Sequence, residues 1–245
     1  MKKDTHNNVK GKLYNLAYEK LKEMIVSGDV SNDKPLVERS ISKRLKMSRT
    51  PIKHALSRLQ QEGLIRTVPR HGVFPVIISY EEYLHILEIR EVLEGLAARL
   101  AVDHFSNASL RELRSIFESR GDIRDIHKVS HSQFALANVA FHRKILHTSN
   151  NPKLIETVQN LYDHLRLVRL KAIEMTGRRN LSVDEHEAII DALEKRKADM
   201  AEQAMRAHIQ TLKRDIESEV KKNPSFFPME NISKTMPADQ NPSQK

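Results

Sequence analysis

Apolar positions along the chain recur with two different periods, and the change of period divides the sequence. In residues 11–27, Leu13, Leu16, Ala17, Leu21, Met24 and Ile25 repeat at helical spacing and stop at Ser27-Gly28. A polar loop around Asp29–Pro35 leads to a short helix over 37–45, with Val37, Ile41 and Leu45 on one face. After Lys46-Met47, the run Ser48-Arg49-Thr50-Pro51 opens another helix. Ser48 or Thr50 is the candidate cap, and Pro51 sits in the first turn, where its missing N–H costs little. That helix turns Ile52, Ala55, Leu56 and Leu59 inward and ends at Gly63. Two β-prone runs follow, Leu64–Val68 and Val73–Ile78, joined by Pro69-Arg70-His71-Gly72, which predicts a small hairpin.

From Tyr80 the pattern is helical throughout. Tyr83, Ile86, Leu87, Leu93, Leu96, Ala97 and Leu100 mark a helix over about 80–104, and further helices are predicted near 108–119, 124–148, 152–175, 182–196 and 198–221. Ser106-Asn107, Asn150-Asn151-Pro152 and Gly177 separate them. The fold class is therefore mainly α. A winged helix-turn-helix of three helices and a hairpin (1–78) precedes an all-α bundle (79–222), and 223–245, rich in Pro, Asn, Ser and Lys, is expected to be a disordered tail.

Charge sharpens this division. Residues 1–75 hold 16 Lys and Arg against 7 Asp and Glu, which accounts for the whole net charge of +9, while the remainder balances at 25 against 25. One basic unit beside one neutral unit suits a protein whose first part meets a polyanion, although a basic surface can also serve solubility alone. Hydrophobic residues are 39% and charged residues 30%, a globular profile with no apolar run near the length a membrane helix needs. Met1–Asn8 has no apolar segment after its lysines, so no signal peptide is expected. The absence of cysteine removes disulfides and thiolate chemistry and fits a cytoplasmic protein.

With the apolar face of the second short helix turned inward, Arg49, Thr50, Lys53, His54 and Ser57 point outward near its start. Cations and small hydroxyls there suit the major groove, where Arg or Lys reaches guanine O6 and N7, and Arg70-His71-Gly72 can approach the adjoining minor groove or a phosphate. Each of these residues alone could equally be a solvated surface group. As a set on the basic segment they favour DNA contact.

The run Pro35-Leu36-Val37-Glu38-Arg39, Leu45 to Leu56, Glu62-Gly63-Leu64-Ile65 and His71-Gly72-Val73 closely resembles the DNA-binding domain of GntR-type regulators over about 60 residues. The resemblance implies DNA contacts at Arg39, Ser48, Arg49, Thr50, Lys53, His71 and Gly72. Lys53 stands where the family commonly has Arg and so lacks the bidentate fork.

Twelve histidines are present, and one spacing stands out. Asn138 and His142 lie at i and i+4, on one helical face, while His186 and His208 fall on two later helices. A single histidine of this kind is more often a surface or hydrogen-bonded core residue, yet imidazoles converging in a bundle can bind Zn, Ni or Mn. Residues 80–220 resemble the FCD-type effector domain of FadR-like GntR regulators. The motifs are Glu88-Ile89-Arg90-Glu91-Val92-Leu93-Glu94, Phe141-His142 with Asn150-Asn151-Pro152, and Glu185-His186 through Leu193 to Met205-Arg206-Ala207-His208. Metal-binding members have an Asp-x-x-x-His motif plus two later histidines. Here Asn138 replaces the Asp, which removes a negative charge and should weaken a metal held by Asn138, His142, His186 and His208. Arg90 is a candidate clamp for a carboxylate effector, and equally a partner for Glu94 at i+4.

Three functions follow as expectations. The first is a homodimeric regulator, expected to be a repressor, that binds an inverted-repeat operator in double-stranded DNA under control of a small carboxylate. The second is a metal-dependent enzyme using the histidines, and the third is a structural DNA binder without an effector. Only seven glycines, no phosphate-cradling loop and no nucleophile elbow weigh against the second, and a neutral helical unit of 140 residues weighs against the third.

Overall fold

The computed structural model describes residues 3–26, 29–31, 34–76, 78–118, 123–125 and 127–224. The expected stop at Ser27-Gly28 and nearly all of the expected tail lie outside the described residues. The elements in chain order are α1 (Lys3–Val26), α2 (Glu38–Leu45), α3 (Arg49–Gln61), β1 (Ile65–Val68), β2 (Gly72–Pro75), α4 (Tyr80–Ala101), α5 (Asn107–Glu118), α6 (His131–Thr148), α7 (Pro152–Thr176), α8 (Arg179–Glu194) and α9 (Ala198–Lys222).

The first core gathers Ala17, Leu21 and Ile25 of α1, Ile41 of α2, Ile52, Ala55 and Leu59 of α3, and Ile65 of β1, which are the inward positions of each amphipathic pattern. The turn between α2 and α3 closes on Lys46, left-handed at φ 53°, whose N–H donates to Lys43 and whose neighbour Met47 donates to Ser42. The antiparallel pair β1–β2 runs from Ile65 opposite Pro75 to Val68 opposite Gly72, and forms the wing. Gly72 has φ +111°, and a Cβ there would come 3.1 Å from Cβ of Pro35, so glycine is required by both conformation and space. The second run shortens against expectation: β2 ends at Pro75, and Ile78 packs into the core of the bundle. Backbone pairing reaches one residue further, where the Val76 N–H donates to the Leu64 carbonyl at 3.0 Å, while the Leu64 N–H is spent on the Leu59 carbonyl and cannot extend the ladder.

The bundle core collects Leu87, Leu113, Phe134, Phe141, Ile145, Leu165, Ile189, Leu193 and Ile209 from six helices. Helices α4 and α9 lie side by side, tied by Arg206 to Glu91 at 2.9 Å and Lys213 to Glu88 at 2.5 Å. Gly95 permits this approach, since a Cβ would meet Cγ of Arg206 at 2.6 Å. Helix α6 begins at His131 rather than 124, because Ser130 and Gln133 close a capping box there. Asn150 in the left-handed region, Asn151 as side-chain cap and Pro152 at the first position separate α6 from α7, and Gly177 at φ +57° ends α7. Helix α8 starts at Arg179, three residues earlier than the apolar pattern indicates.

The two parts meet where α1 and the end of α3 face α7. The Lys22 ammonium of α1 lies 2.5 Å from Asp163 of α7, and His164 Nε2 meets the Glu62 carbonyl at 3.0 Å. Tyr18 donates to Glu62 at 2.6 Å, so the end of α3 is held between α1 and α7.

Candidate functional site

In the N-terminal part, Arg39, Ser48, Arg49, Thr50, Lys53, His71 and Gly72 are all exposed. Ser48 occupies the N-cap position of α3, but its side chain makes no capping hydrogen bond, and Thr50 lies inside the first turn. Neither hydroxyl acts as the expected cap. The wing tip is a tight turn, with Arg70 left-handed at φ 64°, His71 N–H donating to the Val68 carbonyl at 3.1 Å, and His71 Nδ1 2.9 Å from the Pro69 carbonyl. His54 is partly engaged by the protein itself, stacked on Tyr14 with centroids 4.9 Å apart.

In the bundle, three helices bring His142 of α6, His186 of α8 and His208 of α9 together, with one ring nitrogen of each within 4.8 Å of the others. All three are buried. His142 Nδ1 lies 2.7 Å from Glu94 Oε2, and His208 Nδ1 lies 2.7 Å from Glu185 Oε2. A carboxylate on Nδ1 takes that nitrogen's proton as a hydrogen bond and leaves the lone pair on Nε2, which is the tautomer a metal needs. His186 packs between Phe117 and Phe141 at 4.9 and 4.4 Å, and neither of its nitrogens has a hydrogen-bond partner in the protein. Burial, reinforced by the neighbouring histidines and Arg178, pushes His186 well below the usual histidine range. Burial together with His142, Arg178 and Arg90 does the same for His208. Both are neutral at pH 7, and an orphaned buried imidazole beside two oriented ones fits a borderline metal such as Zn or Ni.

Asn138 lies one turn before His142 and lines the same cavity, and its Oδ1 is buried without a partner. That oxygen fits a fourth, uncharged ligand. The cavity also receives Tyr83, Arg90, Phe134, Ala172, Thr176, Arg178, Arg179, Ser182, His208 and Leu212, and its volume is about 30 Å³, room for one or two waters.

Arg90 lines this cavity and also pairs with Glu94, with Nε to Oε1 at 2.5 Å and both residues 2% exposed. Of the two readings weighed for Arg90, the pair with Glu94 is present, and a place on the cavity wall is what the clamp reading has in its favour. Glu94 is the hub that sequence reasoning missed, because only its spacing to Arg90 was visible. It also accepts from Tyr162 OH at 2.7 Å, contributed by α7, 68 residues away. Burial alone would raise its carboxyl, but the charge of Arg90 and the bond to His142 hold it well below the usual range. Glu185 was legible only as a neighbour of His186, yet it serves His208 and is itself held by Arg178 through two contacts of 2.7 and 2.9 Å.

Comparison with known proteins places this geometry. The family model described as bacterial regulatory proteins, gntR family, matches residues 13–74, and the FCD domain model matches 85–211. The Nta operon transcriptional regulator of Aminobacter aminovorans is 30% identical over 71% of this chain and 80% of its own length. The transcriptional repressor RspR of Escherichia coli is 25% identical, covering 86% and 91%. Among solved structures, E. coli McbR/YncC superposes with a TM-score of 0.70 at 22% identity, over 84% of this chain and 97% of that one. A regulator from Rhodococcus sp. RHA1 gives 0.68 at 18%, over 85% and 98%.

Proposed function

The chain belongs to the GntR family of DNA-binding transcription regulators and carries an FCD effector domain, and on that premise we propose a homodimeric repressor whose operator affinity is set by a small carboxylate effector. The observation that carries the effector reading is the pair of buried residues with polar atoms that have no protein partner, Asn138 on the cavity wall and His186 in the histidine cluster. Folding has left these groups unsatisfied, which costs stability unless something else occupies the cavity. Asn138, His142, His186 and His208 would hold a divalent metal, which would supply a Lewis-acid position for an effector oxygen. Arg90, on the cavity wall, would add a donor whose charge Glu94 already balances. The relatives are regulators rather than enzymes, so the reading of the histidines as a catalytic centre has no support among them.

Arg39, Ser48, Arg49, Thr50, Lys53, His71 and Gly72 would form the DNA surface, with the start of α3 in the major groove and the wing beside it. One such head spans few base pairs, so useful specificity calls for two heads and an inverted repeat. A dimer face is available on α4, where Ile89, Val92 and Leu96 form an exposed apolar stripe at i, i+3 and i+7. We place the division between head and bundle near residue 78, and the end of the bundle near 222.

Coupling between the two sites would run through one turn of α7. Tyr162 touches Glu94 in the effector site, while the next two residues, Asp163 and His164, touch Lys22 and Glu62 of the head. An effector that shifts α7 changes both ends of this turn together, which is the differential contact that allostery requires. Among the described residues no helix is long and apolar enough to cross a membrane.

The test is a gel-shift titration on the promoter upstream of the protein's own gene, with and without divalent metals and carboxylates. Binding should be confined to an inverted repeat, weaken steeply with salt and change with a carboxylate. Absence of specific binding by the wild type would overturn the operator reading, and binding indifferent to every carboxylate would overturn the effector.

A further inference from the structure

Among the described residues that line the cavity, Arg179 is the arginine without an acidic hydrogen-bond or ion-pair partner. It is 6% exposed, at the first turn of α8 directly after the Gly177-Arg178 junction. Its Nη1 donates to the Val129 carbonyl at 2.5 Å and to the Ile123 carbonyl at 3.4 Å, which fixes the plane of the group. The face of Phe134 lies 5.1 Å from its central carbon. Its Nε and Nη2 are buried with no hydrogen-bond partner in the protein. These two nitrogens form the side of the guanidinium that presents two parallel N–H groups, the fork that binds a carboxylate side-on. Burial pushes this guanidinium down, and the charge of Asp125, which makes no ion pair with it, only partly offsets that.

The other two arginines of the cavity are already committed. Arg90 is matched by Glu94, and Arg178 donates to Glu185 and, through Nε, to Asp215 at 2.7 Å. Among the described arginines of the cavity, Arg179 therefore offers a charge without an acidic partner and a vacant two-pronged donor edge, and Phe134, Ala172 and Leu212 line the same cavity.

We infer that the Nε/Nη2 edge of Arg179 is the primary receptor for the carboxylate of the effector, and that the effector is a small monoanionic organic acid whose apolar part lies against Phe134, Ala172 and Leu212. This rests on the effector reading above and adds the residue and the chemical class. At the Arg179 edge one guanidinium charge matches a headgroup of one negative charge, and the second charge of a dianionic phosphate would lack a partner there. The carboxylate satisfies both orphaned donors at once, and the fork needs no reorganisation because Nη1 is anchored on the backbone. With about 30 Å³ available, the closed cavity admits little beyond the headgroup, so binding spreads the α7–α8 junction and reaches α7, which contacts the head.

The experiment measures melting temperature of the full chain against acetate, propionate and succinate, each compared with chloride and with phosphate at matched ionic strength. Wild type, Arg179→Lys and Arg179→Gln are run in parallel. Acetate or propionate should raise the wild-type melting temperature in a saturable way, and succinate and phosphate should act as chloride does; a response to succinate alone overturns the monoanionic class. Arg179→Lys keeps the charge and a donor for Val129 but loses the fork, so its carboxylate affinity should fall roughly tenfold to a hundredfold, as for loss of a charge-assisted hydrogen bond. No response of the wild type to any carboxylate overturns the inference, as does an equal response in the variants. Protection by phosphate through Arg179 overturns the class. If neither variant folds, a crystal structure of the wild type with propionate decides, since a carboxylate seated away from Nε and Nη2 refutes the assignment. Gel shift separates the two levels. Failure of wild-type operator binding removes the regulator reading, whereas normal operator binding with an Arg179-independent carboxylate response removes only this one.

Discussion

Replacing Glu94 with Gln tests the hub of the effector site with almost no change in volume. The wild-type carboxylate balances Arg90 at 2.5 Å, and accepts from His142 and Tyr162 at 2.7 Å each, in surroundings where Arg90 and Glu94 are both 2% exposed. Glu94→Gln leaves Arg90 as a buried cation without its counter-charge, a change that typically costs about 3–5 kcal/mol. For a chain of this size that corresponds to a fall of roughly 6–20 °C in the melting temperature of the bundle. The amide also offers His142 a weaker acceptor, so metal affinity should fall about tenfold to a hundredfold through loss of orientation. The companion variant is Arg90→Met with Glu94→Gln, which removes the charge pair together and should recover a large part of the lost stability. The measurements are differential scanning calorimetry and metal titration on the three proteins. A Glu94→Gln variant as stable as wild type, or a double variant no better than the single, would refute the argument that a matched buried pair holds this site.

The remaining predictions concern DNA, metal, pH and assembly. Arg49→Ala should cost about 1–3 kcal/mol of operator affinity and relax sequence preference, read by gel shift at fixed salt, with an unchanged affinity counting against α3 as the reading helix. Asn138→Asp adds the missing charge beside His142 and should bind Zn or Ni more tightly than wild type after exhaustive dialysis; equal retention would remove Asn138 from the ligand set. Without metal, stability should fall as pH drops below about 6.5, because the unfolded chain then takes protons that buried His186 and His208 refuse. A second loss should begin below about 4.3, where the unfolded carboxyl corresponding to Glu94 protonates while the depressed native one does not; urea unfolding across this range that showed stability rising with acid would contradict both signs. Val92→Arg on the exposed stripe of α4 should convert the dimer to a monomer in sedimentation, and a dimer of unchanged strength would move the interface elsewhere.

The sequence by itself determined the order of elements, the separation of a basic head from a neutral bundle, and the exposure of the start of α3. These follow from local causes. Period and capping define a helix, as Asn151-Pro152 defines the start of α7, and charge lies where the sequence puts it. The sequence also singled out His142, His186 and His208, through spacing and family resemblance. What it left open is whatever depends on which helices lie side by side. Glu94 reads as a partner of Arg90 one turn away, and nothing local indicates that Tyr162 and His142 converge on its other oxygen. Glu185 sits next to His186 in the chain but orients His208, since adjacent residues on a helix point in different directions. Arg178 and Arg179 follow a glycine and resemble a polar connection, whereas tertiary structure decides that one is fully paired and the other keeps two buried donors without a partner. Burial turns an arginine from a solvated surface group into a vacant binding site, and burial is a property of the packed bundle rather than of any segment within it.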